Sequence, residues 1–317
     1  MKDDTHPISG FTKFENSFVT ADGQARASVA LSNPETLWFN TGTLCNIECA
    51  NCYINSSPTN DALAYMTQGE VAGYLEQIKT RNWPVSEIGF TGGEPFMNPD
   101  MLAMARDAMA RGYRVLILTN AMAPMMRKLV RAGLEALRDD FGDLLTLRIS
   151  VDHYRPDLHD QERGAGSFNR TLEGMKWLRD NGFQMAVAGR VDWHESEAIS
   201  RVGYGAFFAE HGFDIDAQNP GQTVLFPEMD DTADVPEITT ACWGILNKSP
   251  SDVMCASSRM VVKRKGAENP VVLACTLLPY SAEFELGDTL AAAERDVQLN
   301  HRHCAKFCVL GGASCSA

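Results

Sequence analysis

Nine cysteines stand at positions 45, 49, 52, 242, 255, 275, 304, 308 and 315, and their grouping is what could do chemistry. Cys45, Cys49 and Cys52 fall within the run N-T-G-T-L-C-N-I-E-C-A-N-C-Y-I, separated by three residues and then by two. An odd total in two clusters does not look like a disulfide framework in a reducing compartment, so metal or redox ligation is the better reading. Buried thiols acting as small hydrophobes would account for Cys242 but poorly for three cysteines within eight residues. Three thiolates with an open position suit a zinc ion completed by a histidine or water, or an iron-sulfur cube whose fourth iron takes an outside ligand. No histidine lies near the loop, which favours the cube, but spacing alone leaves both open.

Positioning such ligands requires a frame, and the chain supplies one. From residue 36 apolar β-like runs alternate with helical patterns, which predicts repeated βα units around a parallel sheet. The expected strands are Thr36 to Asn40, Glu87 to Thr91, Tyr113 to Asn120, Leu145 to Asp152, Gln184 to Arg190 and Thr223 to Phe226. Thr67 and Glu70 form a capping box for a helix through about Arg81, and Asn82, Trp83 and Pro84 stop it. Further helices are expected from about Pro99 to Gly112, through Leu137, over Ser167 to Asp180 and near Glu195 to His211, with His153 to Gly166 as a loop. The fold class is therefore α/β, a partial (βα)6 TIM-like barrel. In such a barrel the C-terminal strand ends share one mouth, so the cysteine loop, Gly92 to Pro95, Thr119, Asn120, Ser150, Asp152 and Arg190 should converge there.

Beyond about Pro236 the alternation ceases. Arg259 to Arg264 and Val271 to Thr276 read as a β-hairpin beside Cys255 and Cys275, and a short helix near Thr289 to Asp296 leads to H-R-H-C-A-K-F-C-V-L-G-G-A-S-C. The expected organisation is an N-terminal extension over 1–35, the barrel over 36–236, and a small cysteine-rich hairpin and helix module over 237–317.

At 317 residues with 44% hydrophobic and 22% charged side chains, the composition excludes disordered and solenoid classes. A net charge of −13 disfavours nucleic acid as the main partner. No signal-like run or membrane-length apolar stretch is present, so no membrane partner and a cytoplasmic location are expected.

The C-x3-C-x2-C loop after the first strand, followed by G-G-E-P after the second, resembles the radical S-adenosylmethionine (radical SAM) superfamily over roughly residues 36 to 226. The resemblance implies a [4Fe-4S] cluster on Cys45, Cys49 and Cys52, with S-adenosylmethionine chelating the free iron and reductively cleaved to a 5′-deoxyadenosyl radical that abstracts hydrogen from a substrate. It implies Gly92, Gly93, Glu94 and Pro95 at the methionine end, Ser150 and Asp152 near the ribose or methionine groups, Arg190 at the carboxylate, and Asn120 as a weaker candidate. Against an ordinary rim ion pair between Asp152 and Arg190, the company of the two motifs favours the cofactor reading. Many family members carry an aromatic immediately before the third cysteine; this chain has Asn51 there, with Tyr53 after it.

The run H-D-Q-E-R-G-A-G-S-F, His159 to Phe168, resembles a stretch common in radical SAM proteins with a SPASM or Twitch module. That implies an auxiliary [4Fe-4S] cluster on Cys255, Cys275, Cys304 and Cys308, with Cys315 competing for a place and zinc as the rival metal. Such a cluster would either accept an electron from a substrate radical or, with an open iron, bind substrate. A small-molecule substrate is the expectation, with a peptide-modifying maturase as the alternative and a non-catalytic electron carrier or redox sensor as the reading of another class. The 35 residues before the first strand are few for a peptide-recognition domain. A flavodoxin or ferredoxin would supply electrons, and Lys263, Arg264 and Lys265 could dock it. His153, Tyr154, Asp192, His194 and Cys242 are candidate substrate-side groups.

Overall fold

Six strands alternate with helices in the expected order in the computed structural model, which describes residues 12–191, 195–227, 232 and 234–312. They are β1 (Thr36–Asn40), β2 (Glu87–Thr91), β3 (Arg114–Thr119), β4 (Leu145–Ser150), β5 (Gln184–Val191) and β6 (Thr223–Pro227). Each pairs in parallel with the next, from Thr36 opposite Glu87 to Val191 opposite Pro227. Parallel pairing needs crossovers, and α1 (Gln68–Arg81), α2 (Met101–Ala110), α3 (Lys128–Phe141), α4 (Pro156–Arg163), α5 (Ser167–Asp180) and α6 (Glu197–His211) lie in them. This is the α/β arrangement of a partial (βα)6 barrel.

Helix α1 shows how local sequence sets the frame. Glu70 N–H donates to Thr67 Oγ1 at 3.3 Å while Thr67 N–H donates to Glu70 Oε2 at 2.8 Å, and Asn82 ends the helix at φ 52°. Val71, Tyr74, Leu75 and Ile78 form its buried stripe at helical spacing. Tyr74 meets Phe39 edge-on at 6.1 Å, and Phe39 stacks on Phe90 of β2 at 5.8 Å. Burying each such side chain contributes about 1.5–3 kcal/mol, so the central strands are anchored independently of the site.

Residues 156–163, expected as loop, form α4. Pro156 sits in its first turn, but its buried positions are His159 and Glu162, so hydrophobic periodicity had nothing to report.

The C-terminal segment extends the barrel sheet. Strand β7 (Ser258–Val262) pairs in parallel with β1, from Thr36 opposite Ser258 to Phe39 opposite Val261. Strand β8 (Val271–Leu273) and then β9 (Glu285–Gly287) follow antiparallel, giving one nine-stranded sheet in the order 9-8-7-1-2-3-4-5-6. Strands from both sides of residue 236 thus share one sheet, and a single 3-10 turn, Ala292–Glu294, stands where a short helix was expected. The described part of the N-terminal extension joins the same region: Ser28–Val29 pairs with Val297–Gln298, and Arg26 bonds Glu237. No helix among the described residues is long and apolar enough to cross a membrane.

Candidate functional site

A cavity of about 1060 Å³, counted with its open mouth, receives groups from the C-terminal end of every barrel strand. The loop after β1 brings Cys45, Cys49 and Cys52; β2 brings Thr91, Gly92 and Gly93; β3 brings Thr119 and Asn120. Ser150 and Asp152 come from β4, Ala188 and Arg190 from β5, and Phe226 and Pro227 from β6. The cysteine-rich end supplies Leu277 and Phe307, and Phe307 stacks on Phe226 at 5.5 Å, which makes that side of the cavity apolar. Of the sequence-predicted residues, Glu94 and Pro95 lie buried behind the lining, and His153, Tyr154 and Cys242 are not part of it. Asp192, His194 and Cys315 lie outside the described residues.

Gly92 and Gly93 answer first to the cysteine loop. Gly92 has φ +139°, and a Cβ there would stand 2.5 Å from Gly42 O; at Gly93 it would stand 2.2 Å from Leu44 O. Gly93 N–H and Glu94 N–H donate to those same two carbonyls at 2.8 and 3.1 Å, so the turn after β2 is laid directly on the loop that carries the thiols. Glu94 then accepts from Thr119 Oγ1 and Asn120 N–H, both at 2.9 Å, and from Phe96 N–H at 3.2 Å. Burial pushes its carboxyl up to about 7 against those bonds. Its visible work is to fix Asn120, whose amide donates to Asn46 Oδ1 at 2.9 Å inside the cysteine loop.

Asp152 is bonded on both oxygens by an arginine the sequence reading did not single out. Arg163 Nε and Nη2 donate to it at 2.6 and 3.0 Å, while Arg190 Nε stands at 3.5 Å. Against the burial that would raise it, these two cations hold the Asp152 carboxyl below its ordinary range. Arg163 lay within the quoted R-G-A-G-S-F run, which was its only signal. It lines the cavity, and its charge opposes the effect of burial on Cys45, whose thiol burial pushes up to about 12. A metal centre must deprotonate such thiols on binding.

The site fits an iron-sulfur cluster with a polar ligand beside it. Among the described residues no three His, Cys, Asp or Glu side chains gather tightly enough for a single metal ion, yet three thiols face one cavity. Ser56, on the same lining, has a buried Oγ with no hydrogen-bond partner among the described residues.

Residues 39–191 match the model of the radical SAM superfamily. That stretch carries a radical SAM domain. It is 27% identical over 179 residues to the AdoMet-dependent heme synthase of Methanosarcina barkeri, a match covering 55% of this chain and 48% of that protein. It is 32% identical over 145 residues to the antilisterial bacteriocin subtilosin biosynthesis protein AlbA of Bacillus subtilis, covering 45% and 30% respectively. The chain thus spans about half or less of these relatives. Among solved structures, Streptococcus suis SuiB bound to precursor peptide SuiA superposes with a TM-score of 0.60 at 14% identity, over 84% of this chain and 66% of that one, a likeness of fold. The radical SAM superfamily uses a [4Fe-4S] cluster and S-adenosylmethionine.

A second, smaller cavity is lined by Cys255, Cys275, Cys304 and Cys308 together with His303 and apolar side chains. Cys304 and Cys308 are four apart on a π-helical segment, Cys304–Leu310, which turns both toward it. Burial pushes Cys255 up to about 11, and the guanidinium of Arg259, itself fully buried, opposes this. Leu277 lines both cavities, so one side chain separates them there. In the run proposed for docking, Lys263 pairs with Glu70, Arg264 with Glu285 and Lys265 with Asp61.

Proposed function

We propose that this chain is a radical SAM enzyme that reductively cleaves S-adenosylmethionine and abstracts hydrogen from a small-molecule substrate. A reduced [4Fe-4S] cluster with S-adenosylmethionine bound supplies one-electron cleavage of the sulfonium carbon-sulfur bond and hence a carbon radical. Cys45, Cys49 and Cys52 would hold that cluster, and the three thiols on one lining with Gly92 and Gly93 are the observation that carries the reading. Ser150, Ser56 and the arginines face the same space and are suited to the cofactor's carboxylate and hydroxyl groups. The Phe226–Phe307 pair and Leu277 would exclude water around a reactive intermediate and contact an apolar part of the substrate.

The second cavity supports an auxiliary [4Fe-4S] cluster held by Cys255, Cys275, Cys304 and Cys308. Four thiols match four irons, which favours an electron-accepting role over direct substrate binding. Oxidation of the substrate follows as the outcome, with a flavodoxin or ferredoxin as the external reductant.

The decisive assay is release of 5′-deoxyadenosine from S-adenosylmethionine by the reconstituted, dithionite-reduced protein. Cys45→Ala, Cys49→Ala and Cys52→Ala should each abolish it. No release from the unaltered chain would return the electron-carrier reading. A peptide substrate is the second reading, favoured by similarity to AlbA and to the mycofactocin maturase MftC of Mycobacterium ulcerans, 28% identical over 177 residues. Deuterium transfer into 5′-deoxyadenosine from a labelled peptide, and not from labelled metabolites, would select it.

A further inference from the structure

Asn51, the letter before the third cysteine, is held by a residue from the far side of the site. Glu162, 4% exposed in the last turn of α4, accepts Asn51 N–H at 2.8 Å on one carboxylate oxygen and Asn51 Nδ2 at 2.9 Å on the other. Its backbone carbonyl accepts Ala50 N–H at 2.8 Å. Arg190 closes the arrangement: Nη2 donates to Asn51 O at 2.9 Å and stands 3.4 Å from Glu162 Oε1. Both residues between Cys49 and Cys52 are therefore tied to α4 and β5.

A two-residue span between two ligands transmits any displacement to both sulfurs. The charge of Glu162 works against a Cys49 thiolate, adding to the effect of burial while Arg163 opposes both, so electrostatic activation does not explain its presence. Its geometry does. The backbone N–H serves one Glu162 oxygen and the other calls for a side-chain donor at residue 51, which the amide supplies; an aspartate there would set acceptor against acceptor, and a side chain without a donor would leave that oxygen unpaired.

We propose that Glu162 is a positioning residue for the Cys49–Cys52 span, acting through Asn51, and that Arg190 serves the same clamp. The assignment rests on reading Cys45, Cys49 and Cys52 as cluster ligands, and the test separates the two. In the reconstituted full chain, hydrogen exchange of the peptide spanning residues 45–57 reports the clamp. Chelator-driven loss of the cluster whose electron paramagnetic signal changes on adding S-adenosylmethionine reports the ligands. Glu162→Ala and Asn51→Asp should each speed exchange at Ala50 and Asn51 and release that iron about tenfold faster, in line with the usual effect of groups that orient metal ligands. Glu162→Gln alone keeps the side-chain shape and one acceptor, and should fall between. Combining Asn51→Asp with Glu162→Gln reverses the polarity of the side-chain bond and should return both rates to within about threefold of the unaltered chain. Unchanged exchange in both single variants, or a double variant no better than Asn51→Asp, would overturn the clamp. Altered exchange with unaltered iron loss would overturn the positioning role and leave the ligand reading standing, whereas no cluster signal that responds to S-adenosylmethionine in the unaltered chain would overturn the ligand reading itself.

Discussion

Arg163 grips Asp152 with two hydrogen bonds, 2.6 and 3.0 Å, at the buried floor where the cysteine loop, β4 and α4 meet. The pair does two things at once. It satisfies a carboxylate that is 3% exposed, and it places a cation beside Cys49 and Cys45. Removing Arg163 leaves the buried Asp152 charge facing Arg190 alone, at 3.5 Å, which costs up to about 3–5 kcal/mol. Arg163→Met should therefore lower the unfolding midpoint sharply, and Asp152→Asn combined with Arg163→Met should recover part of the loss. Chemical denaturation of the four members of the cycle checks this; additive losses would mean that the pair is not coupled.

The turn after β2 predicts a loss with a different cause. Gly93→Ala drives a methyl group into Leu44 O, a backbone atom that cannot step aside without moving Cys45. Iron retained at the three-cysteine site should fall well below that of the unaltered chain, with a stability cost of at least about 1–3 kcal/mol from the strain. Gly205→Ala in α6 is the control, since its Cβ would meet nothing closer than 3.7 Å, and it should be neutral or stabilising by up to about 1 kcal/mol.

Four thiols on the second cavity make a prediction about the fifth cysteine. Replacing Cys255, Cys275, Cys304 or Cys308 by Ala should remove the auxiliary iron while leaving the signal that responds to S-adenosylmethionine. Cys315→Ser should keep the full iron content. Loss of auxiliary iron in that variant would reassign the ligand set.

His159 supplies a pH dependence. It is fully buried, meets Phe168 edge-on at 5.5 Å, and neither ring nitrogen has a hydrogen-bond partner among the described residues. Burial first, then the Arg163 charge, lowers it from the ordinary 6.5 to about 4, with Asp152 and Asp160 opposing. Between pH 6.5 and 4 the unfolded chain binds the proton and the folded chain does not, so stability is complete above 6.5 and is lost as the pH falls. The loss by pH 4 is on the order of 2–3 kcal/mol. His159→Phe keeps the ring packing and should remove this slope in urea titrations at pH 7, 5.5 and 4.

What could be read from the chain alone was whatever local chemistry writes locally. The capping box at Thr67 and Glu70, the six apolar runs and the three-cysteine loop each depend on near neighbours, and α5 was predicted at the bounds it adopts, Ser167–Asp180. The two motifs together were enough to indicate the superfamily. Tertiary structure decided the rest. Helix α4 escaped detection because polar side chains form its buried face, and with it went Arg163 and Glu162 as parts of the site. Strand β7 pairs with β1 across more than 200 residues, a hydrogen-bonding choice that no local pattern encodes. Asn51 is the smallest instance of the same rule. Its reason for being an amide lies on Glu162, 111 residues away, and only folding brings the carboxylate to it.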